Sequence, residues 1–140
     1  MEHIVEILNI YKDFVYAVML FEDGHRCGYV KIHNKSLFDK LRAEYEEHVY
    51  CPSVDCHGGI TFVEHLTDSS HLPKGDWVGF DCNHYGDGHD YETVKKVFGD
   101  TPANYWKFAV PSFKDGVIRT KQYVEDECKA IIDQLTKMEG

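Results

Sequence analysis

The chain is predicted to fold as an α+β domain in which a mostly antiparallel sheet of five or six strands packs against two main helices. Short β-branched and aromatic segments fill its first quarter, two later segments carry apolar residues at helical spacing, and no repeat or linker divides it. With 140 residues, 43% of them hydrophobic, the chain is long enough for one hydrophobic core. We therefore expect residues 1–140 to form a single domain.

The N-terminal segments are typical of a β-meander. They are rich in β-branched and aromatic residues, and Asp23-Gly24 is a strong turn signal because glycine adopts positive φ at little cost. Later segments of similar composition predict additional strands, the last of which ends before Pro111. The expected strands are residues 4–10, 14–21, 26–32, 60–66, 77–82 and 105–110.

The two main helices are expected at about residues 37–49 and 120–138. Ser36 is the predicted N-cap of the first helix and Thr120 that of the second. A shorter helix is expected at residues 92–98. The apolar faces of the main helices are formed by Leu37, Leu41, Tyr45 and Val49 and by Val124, Cys128, Ile131, Leu135 and Met138.

Charge and cysteine content restrict the function. The 24 acidic residues exceed the 15 Lys and Arg and give a net charge of −9, without a basic run, which disfavours duplex nucleic acid as a partner. No apolar run reaches the length of a membrane span, and the N-terminus lacks the pattern of a signal peptide. Five cysteines, an odd number, are expected to be reduced thiols. We expect a cytoplasmic protein with no membrane partner.

Two glycine-marked segments are the most informative features of the chain. One is His57-Gly58-Gly59-Ile60-Thr61, and the other, at residues 79–87, reads Gly-Phe-Asp-Cys-Asn-His-Tyr-Gly-Asp. Both adjoin predicted strands, so the fold should bring their polar side chains to strand ends and loops, where ligand chemistry usually takes place. The sequence therefore predicts a binding or catalytic site that combines the two segments.

The polar residues of this site allow more than one chemistry. Carboxylates and imidazoles are crowded within ten residues, and together with His57 a His/Asp/His set can bind Zn, Mn or Fe. Alternatively, the carboxylates cap local turns and the histidines form local hydrogen bonds. Divalent metal is therefore an alternative rather than an expected cofactor. The crowded residues are Asp81, His84, Asp87, His89 and Asp90.

Two cysteine-based alternatives are weaker. Cys51 and Cys56 are separated by four residues, which is wider than the usual zinc knuckle, and no second pair of closely spaced cysteines exists. A nucleophilic Cys82 would need a lowered thiol pKa, whereas neighbouring Asp81 would raise it. We expect Cys82 and Cys128 to pack in the core as small hydrophobic residues.

Anion binding and base stacking complete the candidate chemistry. The amides of Gly58 and Gly59 can approach an anion closely, and Arg26 and Arg119 are candidates for phosphate contacts. Aromatic side chains can stack on a nucleobase, although each one is also a candidate for core packing. The aromatic candidates are Trp77, Phe80, Tyr85 and Tyr105.

The order of several motifs resembles a family of small uncharacterised phage and prophage proteins. The resemblance covers most of the chain, but the segment from Cys51 to Cys56 does not belong to the family pattern. The motifs are Arg26-Cys27-Gly28-Tyr29-Val30, the segment from His57 to Thr61, Trp77-Val78 followed by residues 79–87, and Tyr123-Val124-Glu125-Asp126-Glu127-Cys128 with Gln134-Leu135.

The phage setting implied by this resemblance favours a counter-defence role. Small phage accessory proteins include sponges that enclose nucleotide-derived immune signals, such as cyclic ADP-ribose isomers or cyclic oligonucleotides, commonly at a subunit interface. We therefore expect a homo-oligomer in the host cytosol that binds such a molecule, and we assign no catalytic residue. The expected ligand-binding residues are His57, Gly58, Gly59, Thr61, Phe80, Asp81, Cys82, His84, Asp87, Arg26 and Arg119.

Two other functions remain open. The first is metal-dependent hydrolysis of a phosphoester or glycosidic bond, with His57, Asp81, His84 and Asp87 as ligands or acid/base groups. The second is direct inhibition of a host defence enzyme, in which the acidic surface imitates nucleic acid.

Overall fold

A computed structural model describes residues 1–68, 71–110 and 116–139. It confirms the α+β class, with a five-stranded antiparallel sheet in the order β1-β2-β3-β5-β4. The strands are β1 (His3–Tyr11), β2 (Phe14–Phe21), β3 (Arg26–Ile32), β4 (Phe62–Leu66) and β5 (Gly75–Asp81). The helices are α1 (Lys35–His48), α2 (Tyr91–Phe98), α3 (Asp100–Ala109) and α4 (Lys121–Glu139).

The predicted meander is confirmed. Lys12 and Asp13 form the β1–β2 turn with positive φ at both positions, which suits the right-handed twist of a hairpin. The turn between β2 and β3 contains Gly24 at φ +90°, as the Asp-Gly signal predicted. The register of β1 shifts between Val5 and Ile7, and a bulge of this kind re-aims a side chain.

The first helix begins earlier than predicted. The side chain of Asn34, not that of Ser36, caps α1 by accepting a hydrogen bond from the Leu37 amide at 3.0 Å. Both residue types are good caps, so composition alone did not distinguish the two positions. The helix ends at His48, and Val49 follows in the left-handed conformation, its amide bonded to the Tyr45 carbonyl.

The last predicted strand is wrong, because residues 105–110 lie mostly in α3. Aromatic residues in this segment suggested a strand, but both flanking features favour a helix. Pro102 lies in its first turn, where a fixed φ is already suitable for a helix. The Tyr91 hydroxyl donates towards the carbonyls of Trp106 and Val110 at the other end. The short helix α2 agrees with the prediction at residues 92–98.

The C-terminal helix α4 covers one face of the sheet. Thr120 caps it as predicted, its hydroxyl oxygen accepting from the Tyr123 amide at 3.1 Å. The helix contacts β1, β2 and β3. Its buried face comprises Val124, Cys128, Ile131, Ile132 and Leu135, while Met138 packs partly buried against the same core.

The other face of the sheet carries a second, smaller core. Ala17, Met19 and Trp77 belong to this cluster together with Leu72 from the segment before β5. The indole of Trp77 is fully buried, and its Nε1 donates to the Pro73 carbonyl at 2.8 Å. This face remains open near the ends of β3, β5 and β4, and the candidate site lies there.

Within the described ranges, none of the helices combines the length and apolar character needed to cross a bilayer.

Candidate functional site

A cleft of about 450 Å³ opens at the ends of the three strands β3, β5 and β4. Two aromatic side chains, Tyr29 and Phe62, form one wall, with ring centroids 5.3 Å apart and the rings nearly perpendicular. Polar side chains, among them Asp81 on the same face of the sheet, complete the lining. The lining residues are His25, Cys27, Tyr29, Thr61, Phe62, Phe80, Asp81, Asn83 and His84.

Gly79 explains why the two aromatic rings meet. Residue 79 pairs with Tyr29 on β3 and with Phe62 on β4, so it lies directly between them. A Cβ on Gly79 would come within 2.6 Å of the Tyr29 ring. Because glycine leaves this space empty, both rings can fold over the strand and form the cleft wall.

Asp81 ends β5 and organises the polar side of the cleft. One carboxylate oxygen accepts from the Thr61 hydroxyl at 3.1 Å, and the other accepts from the Asn83 amide at 3.1 Å. Nδ1 of His84 lies 3.3 Å from the second oxygen. The predicted segments 57–61 and 79–87 therefore meet in space, as the sequence analysis expected.

Asp87 is the centre of a second cluster, which adjoins the cleft through His84. Its carboxylate is buried and accepts from His57 Nε2 at 2.9 Å, from Arg119 Nε at 2.9 Å and from the His84 amide at 3.0 Å. Burial alone would raise the pKa of Asp87, but the hydrogen bonds from His57, His84 and Arg119 outweigh it and hold the pKa below its ordinary value. Asp87 is thus a carboxylate at neutral pH.

The imidazole of His57 is held on several sides. Its Nδ1 lies 2.8 Å from the Tyr123 hydroxyl, and its backbone amide donates to Glu127 at 2.8 Å. Both partners belong to α4. Because the C-terminal helix fixes the ring, His57 is directed at Asp87 rather than at solvent.

Three of the predicted residues converge in the geometry of a metal site. One ligand atom each from His57, His84 and Asp87 lies within 4.8 Å of the other two. Of the other predicted members, Asp81 lies in the cleft beside His84, His89 Nδ1 contacts the Asp23 carbonyl, and Asp90 caps α2. In the described part of the chain, no comparable group includes Cys51 or Cys56, which argues against the zinc knuckle.

No family model, curated protein or solved structure matches this chain. The resemblance to phage and prophage proteins therefore stays a prediction from the sequence pattern. The geometry of the site has to carry the functional argument.

The two predicted phosphate-binding arginines occupy different places. Arg119 lies beside Asp87 and stacks on the Tyr123 ring, with its guanidinium carbon 5.1 Å from the ring centroid. Arg26 is only 3% exposed and is bound by the carboxylates of Glu6 and Asp90. A phosphate would have to displace these partners, so Arg26 supports the fold behind the site.

The glycine pair also differs from the expected anion-binding loop. The amide of Gly59 donates to the Cys56 carbonyl at 3.0 Å and closes a turn, so it already has an acceptor. Gly58 instead provides space, because a Cβ there would lie 2.6 Å from the His84 ring. Gly58 therefore gives His84 room to join the cluster.

The buried cysteines are structural: Cys82 and Cys128 pack in the core, as one expectation for them stated, and Cys82 is not among the residues that line the cleft, so the structure does not support it as a ligand-binding residue. Cys82 is only 1% exposed, and burial raises the pKa of its thiol. Cys27 lines the cleft, and burial raises the pKa of this thiol to about 12. Neither thiol is activated as a nucleophile.

Sequence reasoning missed part of the site. Of the four aromatic candidates, Phe80 is largely buried but lines the cleft, Trp77 packs in the core, Tyr85 is 94% exposed and Tyr105 lies on α3. Glycine within a strand at position 79 was a signal for the close approach of Tyr29 and Phe62. The contacts of Tyr123 with His57 had no local signal, because 66 residues separate the two. The additional site residues are Tyr29, Phe62, His25, Asn83 and Tyr123.

Proposed function

We propose that the protein binds a nucleotide-derived small molecule in the cleft and holds it without converting it. The supporting observation is the cleft itself, whose lining combines two packed aromatic rings with a carboxylate and an imidazole. Its volume of about 450 Å³ falls within the range of roughly 300–1,000 Å³ typical of small-molecule sites.

The chemistry of the lining matches the parts of a nucleotide. A base can stack on Tyr29 or Phe62, and ribose hydroxyls or base amino groups can donate to Asp81. The ring N–H groups of His25 and His84 can donate to the phosphate oxygens of a nucleotide. Arg119 is paired with Asp87 at 2.9 Å in the adjoining cluster.

Sequestration is favoured over covalent catalysis by the state of the nucleophiles. The thiol that lines the cleft, among the described residues, belongs to Cys27, and its raised pKa keeps it protonated and therefore unreactive at neutral pH. Asp87 already accepts from three donors. In the phage setting that the sequence pattern implies, tight binding of an immune signal is itself a counter-defence function.

The test is a binding measurement with named probes. Cyclic ADP-ribose and a cyclic diadenylate are titrated into the protein by calorimetry, and bound probe is then released by heat and examined by chromatography. We expect saturable binding of one probe and recovery of the intact molecule. Asp81→Ala should weaken binding at least about tenfold, since it removes a charged acceptor.

Asp76→Ala is the matched control for that experiment. Asp76 is the second residue of the same strand and lies 2.6 Å from His65; it pairs with Ile32, at the end of the β3–β5 ladder away from Asp81. Its substitution should leave probe binding unchanged. Equal effects of the two variants, or no binding of any probe by the unmodified protein, would contradict the proposed function.

A second candidate is metal-dependent hydrolysis, which is favoured by the convergence of His57, His84 and Asp87. A metal ion held beside the cleft would activate water for attack on a phosphoester. In that case the probes above would be recovered as hydrolysis products, and a chelator would stop their formation.

A further inference from the structure

We propose that His57, His84 and Asp87 bind one divalent transition-metal ion at the side of the cleft. This inference concerns the same site as the proposed function, but it stands independently of nucleotide binding. It is based on the placement of the three ligands, the support behind them and the opening beside them.

The spacing of the ligands fits a single ion. Asp87 Oδ2 lies 3.0 Å from His57 Nε2 and 3.9 Å from His84 Nδ1. Ligands bound to one zinc ion at about 2.1 Å lie roughly 3–4 Å from one another. His84 is 40% exposed, so its ring can rotate slightly to complete the set without disturbing the core.

The support behind His57 suits a metal ligand. A ring nitrogen binds metal through its lone pair, so the proton must then reside on the other nitrogen. Nδ1 of His57 lies 2.8 Å from the hydroxyl of Tyr123. A hydroxyl can accept a hydrogen bond from a protonated Nδ1, and it can donate one to an unprotonated Nδ1. Tyr123 can therefore orient the imidazole both with and without the ion.

The carboxylate is supported in the same way. Arg119 donates to Oδ1 of Asp87 at 2.9 Å, whereas Oδ2 faces His84. Both oxygens lie within 3.0 Å of His57 Nε2, and Oδ2 also accepts from the His84 backbone amide at 3.0 Å, so the carboxylate is held in place beside both histidines. Its positive charge weakens metal affinity in part, and the buried carboxylate compensates for it.

The ligand set also indicates the class of metal. Two imidazoles and one carboxylate suit Zn²⁺, Fe²⁺ or Co²⁺, whereas Mg²⁺ prefers oxygen ligands and retains its waters. Three protein ligands leave a coordination position for a further molecule. His84 belongs to both the cluster and the cleft lining, so that position adjoins the cleft.

The experiment measures metal binding directly. The full chain, purified without a histidine tag and stripped with chelator, is titrated with Zn²⁺ by calorimetry and with Co²⁺ by visible absorption. We expect one ion per chain, a d–d absorption band for Co²⁺, and no binding of Mg²⁺. No nucleotide is present, so this result is separate from the test of the proposed function.

Three variants locate the site. His84→Ala should weaken Zn²⁺ binding at least about 100-fold, and Tyr123→Phe, which removes only a supporting hydroxyl, by about 10–100-fold. His65→Ala should have no effect, because His65 contacts a single carboxylate, that of Asp76, and belongs to no convergent group among the described residues.

The choice of surface variants also distinguishes loss of the metal site from loss of the fold. His84 and His65 are both surface side chains, with 40% and 58% exposure, so their removal should leave the circular dichroism spectrum unchanged. Absence of Zn²⁺ binding by the unmodified chain would overturn the inference. Equal Zn²⁺ affinity of His84→Ala and His65→Ala would overturn it as well.

Discussion

Gly58 and Gly59 have backbone conformations of the same kind, but only Gly58 lies against the site. Their φ angles are +70° and +81°, in the left-handed region that side chains rarely adopt. A Cβ on Gly58 would meet the His84 ring at 2.6 Å, whereas a Cβ on Gly59 has its nearest neighbour, Tyr50 Cβ, at 3.9 Å. Substitutions at the two positions therefore allow the effect of backbone strain to be separated from the effect of displacing His84.

This difference leads to a residue-scale prediction. Gly58→Ala and Gly59→Ala should each reduce the free energy of unfolding by about 1–2 kcal/mol, because both place a Cβ at positive φ. Only Gly58→Ala should also weaken Zn²⁺ binding, by about tenfold or more, since it pushes a ligand out of position. Calorimetric titration and urea unfolding check the two effects. Equal Zn²⁺ affinities of the two variants would contradict this account.

Residue types and local spacing predicted the polar part of the site. His57, His84 and Asp87 come from two segments that adjoin strands, so a sheet was expected to bring them together. The aromatic wall depends instead on register: Tyr29 and Phe62 meet because both pair with Gly79. Register between distant strands is not encoded in local composition, and this part was therefore missed.

The boundaries of helices and strands were likewise only partly predictable from local sequence. The meander was predictable because β-branched segments alternate with turn signals, and α4 because its apolar residues share one face. Residues 105–110 were misread because aromatic content is common to strands and to partly exposed helices. Tertiary hydrogen bonds from Tyr91 to the end of α3 support the helix, and such contacts are absent from a local pattern.

The N-cap of α1 provides an element-scale prediction. Asn34→Ala should reduce the free energy of unfolding by about 1 kcal/mol, because it removes the acceptor of the Leu37 amide. Ser36→Ala is the matched control: Ser36 lies within the first turn, is exposed, and should change stability by less than about 0.5 kcal/mol. Chemical denaturation measures both. A larger loss for Ser36→Ala would indicate that the helix begins where the sequence suggested.

At the scale of the whole molecule, Arg26 connects parts of the chain that are remote in sequence. Its guanidinium contacts Glu6 on β1 at 2.7 Å, Asp90 at the start of α2 at 2.9 Å, and the Arg119 carbonyl before α4 at 3.1 Å. Asp90 follows Asp87 by three residues, and the side chain of Arg119 donates to Asp87 at 2.9 Å. This buried cluster therefore couples the stability of the fold to the placement of Asp87 and its neighbours.

The carboxylate of Asp90 in this cluster should make the free energy of unfolding depend on pH. Burial alone would raise the pKa of Asp90, but hydrogen bonds from Thr93 and Arg26 outweigh it and keep the pKa below its ordinary value. A carboxyl whose pKa is lower in the folded state stabilises the fold above its unfolded pKa, which is about 3.9. That contribution is lost as the pH falls through the folded-state pKa.

Asp90→Asn tests this dependence with little change in shape. Asparagine retains an oxygen that can accept from the Thr93 amide, but it loses the charge that faces Arg26. We expect the variant to be less stable than the unmodified protein by about 1–3 kcal/mol at pH 7, because the buried guanidinium of Arg26 loses one of its two carboxylate partners. The difference should shrink as the pH falls below about 3.9 and through the lower folded-state pKa of Asp90, because the unmodified carboxyl then becomes protonated as well.

Asp39→Asn is the control for this titration. Asp39 forms an exposed pair with Lys35 at 3.3 Å within α1, and such pairs contribute at most about 0.5 kcal/mol. Urea unfolding of the three proteins between pH 3 and pH 7 should therefore give nearly parallel curves for Asp39→Asn and the unmodified chain. A constant offset of Asp90→Asn across the whole pH range would show that packing, rather than the charge on Asp90, is responsible for its effect.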